Sequence, residues 1–219
     1  MRRLLILILA IALPFYFLLK SVEVNTFNMD LYLKSFERNN TIHISGRSME
    51  ELEGITKTLL NYLREGLDGQ VLSPYFNNRE ISHMEDVQYL FEYGFMLKKI
   101  SLLLSIIAIG TLLLRYGKRS LGLAFFYGPF IWHGLFTLLF ILSLLDFNRY
   151  FTYFHLIFFD NDLWLLNPKT DLLIQMLPEN FFISIFSRIV LLFLLLLSII
   201  QIIGYILMKK GNDYDRRFI

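Results

Sequence analysis

Residues 147–182 read FNRYFTYFHLIFFDNDLWLLNPKTDLLIQMLPENFF. His155, Asp160, Asp162, Trp164, Asn167, Asp171 and Glu179 stand there among phenylalanines. A connector that only joins two helices can be short and polar; one that mixes carboxylates, a histidine and large aromatic rings suits work on a lipid at a membrane interface. A second group is Ser82-His83-Met84-Glu85-Asp86. Histidine has an unperturbed pKa near working pH, so His83 and His155 can each take a proton and give it back. An aromatic frame of Tyr153, Phe154, Phe158 and Phe159 favours the neutral, base-competent form of His155. For His83, the positive end of a helix favours the neutral form, while Glu85 and Asp86 push the other way.

Each residue also has a plainer reading. A lone interfacial histidine serves as an amphipathic anchor. Asp162 and Asp171 can hold the loop as turn and cap residues beside the Asn167-Pro168 turn signal, and Trp164 can belong to an interface belt. His133, near the middle of an apolar run, reads as a satisfied interior histidine. Arg188 is harder to dismiss, because an arginine inside an apolar run needs a partner or a reach to water; it points to a polar cluster near the outer surface. No HExxH spacing supports a metal site, so no metal or other cofactor is expected. There is no GxSxG elbow. With no cysteine in the chain, disulfides, thiolate metal sites and cysteine nucleophiles are excluded. The basic residues are scattered or flank apolar runs, which argues against nucleic acid as a partner.

The elements that must position these residues follow from composition. Of 219 residues, 55% are hydrophobic and 16% aromatic, and the mean hydropathy is +0.51. That is a small polytopic membrane protein. Residues 1–219 read as one all-α integral membrane domain, with four transmembrane helices at about 4–20, 96–115, 121–145 and 181–208. The first run follows Arg2 and Arg3 like a signal peptide, but no small-residue cleavage site follows it, so it reads as a retained helix loosened at Pro14. Large loops at about 21–95 and 146–180 remain. In the first, Ser48-Met-Glu-Glu51 is a capping box that opens an amphipathic helix over about 49–65, stopped by Gly66. Ser82-His-Met-Glu85 reads as a second capping box, opening a helix that lies along the membrane surface and bends near Gly94. Arg2, Arg3, Arg115 to Arg119 and Lys209 to Arg217 fall on one side of a four-span chain. The positive-inside rule makes that side the cytoplasm. Both termini are then cytoplasmic, and both loops form a helical extracellular cap that carries His43, His83 and His155.

These residues resemble a known family. Ser82-His83-Met84-Glu85-Asp86-Val87, then a span, then Phe154-His155, Phe159, Asn161-Asp162, Trp164, Asn167-Pro168, Asp171-Leu-Leu-Ile and Pro178-Glu179 followed by Phe181-Phe182 look like the bacterial lipoprotein intramolecular transacylase family. The resemblance covers the chain in span order and loop placement. It implies an enzyme of Gram-positive plasma membranes that works at the extracellular face on diacylglyceryl lipoproteins. Such an enzyme moves an acyl chain from the glycerol to the α-amino group of the N-terminal cysteine, giving a lyso-form lipoprotein. It also implies two essential histidines, which fall on His83 and His155.

The residues suit that chemistry. A free α-amine has a pKa of roughly 7.7–8.0, so part of it is neutral near pH 7. After attack the nitrogen must lose a proton and the leaving glycerol oxygen must gain one; one histidine can do both, or two can share the work. His155 is the expected base, since it sits deeper in the aromatic frame. For the sn-2 ester the cyclic transition state has about eight atoms, so the site must fold the headgroup. Trp164, Asn167, Arg188 and Arg79 are candidate oxyanion donors. Asp86, Asp162 or Asp171 are candidates to orient a histidine or hold the substrate ammonium. Membrane lipids are the other expected partners; the sequence sets no oligomeric state. Two other readings stay open on the residues alone: a non-enzymatic membrane scaffold or sensor, and a lipid-ester hydrolase.

Overall fold

A computed structural model describes residues 1–215, and all regular structure in that range is helical. The helices are α1 (Arg2–Thr26), α2 (Met29–Arg38), α3 (Thr41–Ser45), α4 (Met49–Glu65), α5 (Asn78–Tyr127), α6 (Phe130–Leu145), α7 (Phe147–Phe158), α8 (Leu172–Met176) and α9 (Glu179–Asp215), with a 3-10 turn at Gly69–Leu72. Of the basic tail, Lys209 and Lys210 are described, whereas Arg216 and Arg217 lie outside the described residues.

Among the described residues, three helical stretches are long and apolar enough to cross a membrane: Arg2–Thr26, Asn78–Leu145 and Glu179–Lys210. The middle stretch contains both runs that the sequence separates at 96–115 and 121–145. As one straight helix its 68 residues would reach about 100 Å, far beyond the roughly 30 Å hydrocarbon core. It is not straight. Gly117 has φ 74° and ψ 171°, a conformation closed to other residues, and Gly128-Pro129 interrupts the helix again between α5 and α6. The expected run 121–145 is therefore two helical pieces. The bend expected at Gly94 is not a break: α5 keeps helical φ/ψ there.

The chain divides into two compact units. The first comprises Met1–Val22, Phe95–Ile141 and the chain from Ile189 on. Leu9 and Leu13 of α1 share a buried cluster with Ala108 and Leu112 before Gly117 and Leu121, Ala124 and Phe125 after it. A Cβ on Gly204 would come 2.5 Å from Phe126 N and 2.9 Å from Gly122 O, so only glycine lets α9 cross α5 this closely. His133 is satisfied inside this unit: its ring nitrogens lie 3.2 Å from Pro129 O and 3.2 Å from Ser198 Oγ.

The second unit comprises Glu23–Gly94 and Leu142–Arg188. The amphipathic pattern of α4 buries Leu52, Ile55, Leu59, Leu60, Tyr62 and Leu63. Its Ser48–Glu51 capping box forms as read, with bonds of 2.8 and 3.2 Å. The second box does not form at Ser82, which lies inside α5. The cap sits five residues earlier, where Asn77 and Glu80 bond reciprocally: Glu80 N donates to Asn77 Oδ1 at 3.1 Å and Asn77 N to Glu80 Oε2 at 2.8 Å. An N-x-x-E box is as good a start signal as S-x-x-E, and the earlier one wins because Glu80 has a second buried bond to make, described below. His83 is thus in the second turn of α5, not at its positive end. The region read as loop 146–180 also carries α7 and α8.

Candidate active site

Helix α7 forms because its aromatic side chains recur at helical spacing. Asp146 caps it, its Oδ1 accepting from Arg149 N at 3.1 Å. Phe147, Phe151, Phe154 and Phe158 follow one another along it, and Phe151 packs on Phe182 of α9 with centroids 4.9 Å apart. His155 is one turn beyond Phe151. Its Nδ1–H donates to Phe151 O at 2.7 Å, which sets the tautomer and leaves Nε2 as a bare acceptor. Phe159 N closes the helix by donating to His155 O at 2.8 Å.

His83 and His155 come together in this unit, with ring centroids 6.1 Å apart. Phe159 meets the His83 ring edge-on at 5.4 Å. Trp164 stacks on His155 at 4.6 Å with planes 27° apart. Both histidines are buried, His83 to 8% exposure and His155 to 7%. Burial pushes the His83 pKa down to about 4; repulsion from His155 adds to this and Asp86 opposes it. Burial also lowers that of His155, against the bond to Phe151 that raises it. Both rings are therefore neutral near pH 7. The Nδ1 of His83 is buried without a hydrogen-bond partner.

Apart from the Trp164 ring, the supporting candidates near the histidines make their hydrogen bonds to the segment between α7 and α8 and not to the imidazoles. Asp86 Oδ2 accepts from Asn161 Nδ2 at 2.9 Å, and Asn161 O accepts from Trp164 Nε1 at 3.0 Å. Arg79 donates to Asp162 O and pairs with its carboxylate at 3.3 Å. Asp171 accepts from Asn167 N at 2.7 Å, Thr170 Oγ1 at 2.8 Å and Asn77 Nδ2 at 3.1 Å; the Asn167 amide chiefly holds its pKa below the usual value. Arg188 lies elsewhere in the unit, lining a depression with Lys34 and Arg38, and His43 is exposed on α3. No group of three or more histidines and carboxylates is placed to hold a metal ion among the described residues.

Sequence reading missed Glu80, Asn77 and Phe151, and gave Asn161 a place in the motif but no role. Glu80 is 2% exposed. Besides capping α5, its Oε1 accepts from Leu173 N at 2.6 Å, which joins the His83 helix to α8. Burial raises its pKa against these bonds. The Asn77-x-x-Glu80 box was visible in the sequence; the bond to Leu173 has no sequence signal.

Comparison with known proteins places this geometry. The model of the lipoprotein intramolecular transacylase family matches residues 7–182. No curated protein matches the chain. The fold is that of the membrane integral lipoprotein intramolecular transacylase from Bacillus cereus solved in meso. That structure has a TM-score of 0.84 at 22% identity, over 97% of this chain and 98% of that one. Two variants of the Bacillus cereus protein, with one histidine replaced by arginine or by alanine, give TM-scores of 0.81 and 0.80 at 22% and 21% identity. The family match takes in both histidines and the whole segment that packs on them, and with it the chain belongs to the lipoprotein intramolecular transacylase family, membrane intramolecular acyltransferases that act on lipoproteins.

Proposed function

We propose that the chain moves the sn-2 acyl chain of a diacylglyceryl lipoprotein to the α-amine of the same cysteine, with His155 as the proton shuttle and His83 as the hydrogen-bond donor to the developing oxyanion. The observation that carries this is the pairing of two neutral imidazoles with unlike free atoms. His155 spends its proton on Phe151 O and offers a bare Nε2. His83 has a buried, unpartnered Nδ1. A buried N–H left without an acceptor costs more than an unused lone pair, so the favoured tautomer carries its proton on Nε2.

The neutral amine attacks the ester carbonyl, forming the C–N bond and pushing the carbonyl electrons onto oxygen. His83 Nε2–H donates to that oxygen. His155 Nε2 removes the proton from nitrogen and returns it to the glycerol oxygen as the C–O bond breaks. An ester becomes an amide, one glycerol hydroxyl is freed, and the mass is unchanged. Of the oxyanion donors expected from sequence, the Trp164 N–H is held by Asn161 O and Arg79 by Asp162, which favours His83 for that task.

Four spans remain the best reading of the three apolar stretches, with the Gly117 break dividing the middle one. Both termini are then cytoplasmic and the histidines face outward, where a translocated lipoprotein presents its amine. The test is tandem mass spectrometry of a synthetic diacylglyceryl lipopeptide with a free amine, incubated with the protein in vesicles. The expected product has the same mass and an acylated nitrogen. It should be reduced roughly 10²–10⁴-fold by His155→Ala, the range for loss of general acid–base catalysis, and by a comparable factor by His83→Ala. A product lighter by one acyl chain means hydrolysis and overturns the reading.

A further inference from the structure

The second unit carries a cationic depression that the reaction does not use. Lys34 and Arg38 of α2 and Arg188 of α9 line it, together with Ser35, Asn39, Asn180 and Ser184, over an apolar floor of Leu31, Phe181 and Ile185. No carboxylate lines it, and among the described residues neither Lys34, Arg38 nor Arg188 forms an ion pair. The acid that opens α9, Glu179, is engaged by Asn148 Nδ2 at 3.1 Å. The wall is built: Asn39 Nδ2 donates to Ser35 O at 3.0 Å and Ser35 Oγ at 2.9 Å, and its Oδ1 accepts from Asn180 Nδ2 at 3.3 Å.

Lys34, Arg38 and Arg188 are exposed, so each long side chain can bring its charge to an anion that enters the hollow. The chain itself indicates the source of the anion. Arg188 is the last charged residue before the uncharged run Ile189 to Met208, so it stands at the boundary of a span, where lipid headgroups lie. Guanidinium groups bind phosphate through two parallel N–H bonds, and the apolar floor suits the glycerol and first methylenes of a lipid. We infer that this depression binds the phosphate diester of an anionic phospholipid headgroup. The lipoprotein substrate carries a thioether-linked glycerol and no phosphate, so the ligand is a resident membrane lipid, distinct from the molecule acylated.

The experiment is native mass spectrometry of the full chain in detergent with phosphatidylglycerol, phosphatidylcholine or inorganic phosphate added separately. Wild type should retain one phosphatidylglycerol at least 10-fold more strongly than phosphatidylcholine. The double variant Lys34→Gln, Arg38→Gln should lose that preference, and Arg188→Gln should reduce it independently. Arg188→Lys, which keeps the charge but not the fork, should restore part of it. Thermal unfolding of each variant checks that it is folded. Equal retention of both lipids by wild type, or undiminished preference in the folded double variant, overturns the site. Displacement of phosphatidylglycerol by millimolar inorganic phosphate would make free phosphate the ligand and overturn its lipid source.

Discussion

The indole of Trp164 lies over the imidazole of His155, centroids 4.6 Å apart and planes within 27°. Its N–H is engaged with Asn161 O, and the Asn161 side chain reaches Asp86 on the helix that carries His83. Trp164 therefore sets where the His155 ring sits and keeps water from one of its faces. Trp164→Phe preserves the stacked face and should cost less than about 10-fold in kcat. Trp164→Ala opens the face and should cost roughly 10²-fold, the loss expected when a catalytic group is misplaced by about an ångström. Equal rates for the two variants would show that the stacking is irrelevant.

The pH profile should lack the usual histidine limb. Both histidines are shifted down, His83 to about 4. Protonation that would remove the base is therefore deferred below the ordinary value near 6.5. The substrate amine still titrates at about 7.7–8.0. As pH falls from 7, log kcat/KM should first fall with a slope near one, set by the amine, and any steepening from His155 should set in below its ordinary value near 6.5. A slope already close to two at pH 6.5 would refute the shift. The same sign governs stability. The unfolded chain binds more protons at His83 between about pH 6.5 and 4, so stability is full above that window and declines as pH falls through it.

Glu80 should matter for stability more than its distance from the chemistry suggests. Glu80→Ala leaves the Asn77 and Leu173 amides without an acceptor. The buried Leu173 amide costs about 1–3 kcal/mol when unsatisfied and loss of the half of the cap at Asn77 about 1 kcal/mol, so the loss should be roughly 3 kcal/mol, seen as a fall in Tm of several degrees in detergent. A change within one degree would mean that water replaces the carboxylate.

The Gly122–Gly204 crossing should tolerate no side chain. Gly204→Ala places a Cβ 2.5 Å from Phe126 N, and overpacking of this kind costs about 1–3 kcal/mol. Gly110→Ala, with nothing within 4 Å of its new Cβ, is the control; helix propensity makes it neutral or stabilising. Equal Tm values for the two variants would remove the argument for a close crossing.

The parts of this molecule legible in its sequence were those with local causes. Apolar runs, the Ser48–Glu51 box and the amphipathic pattern of α4 each depend on neighbours within a few residues, and the structure has them. The two histidines were found through their motifs; their 6.1 Å approach depends on how α5 and α7 pack, which no local pattern encodes. Helix α7 was missed for a different reason. Its phenylalanines satisfy a helical period, yet its flanking carboxylates and aromatic density read equally well as an interfacial loop. Asp86, Asp162 and Asp171 could each have turned toward an imidazole. Asp86 instead accepts from Asn161, Asp162 pairs with Arg79, and Asp171 accepts from Asn167, Thr170 and Asn77; no local pattern announces Asn161, Arg79 or Asn77 as partners.

The group that orients His155 is a main-chain carbonyl, Phe151 O, and not a carboxylate. A neutral orienter fixes the ring without lending it negative charge, so in the proposed mechanism an imidazolium at His155 would gain little ion-pair stabilisation from behind. It would be a stronger acid than a carboxylate-backed histidine and would pass its proton on more readily. The arrangement also lacks the usual point of mutational failure. A substitution can delete an aspartate side chain, but none deletes the carbonyl of residue 151, so this one contact is lost only when the helix that carries it is distorted.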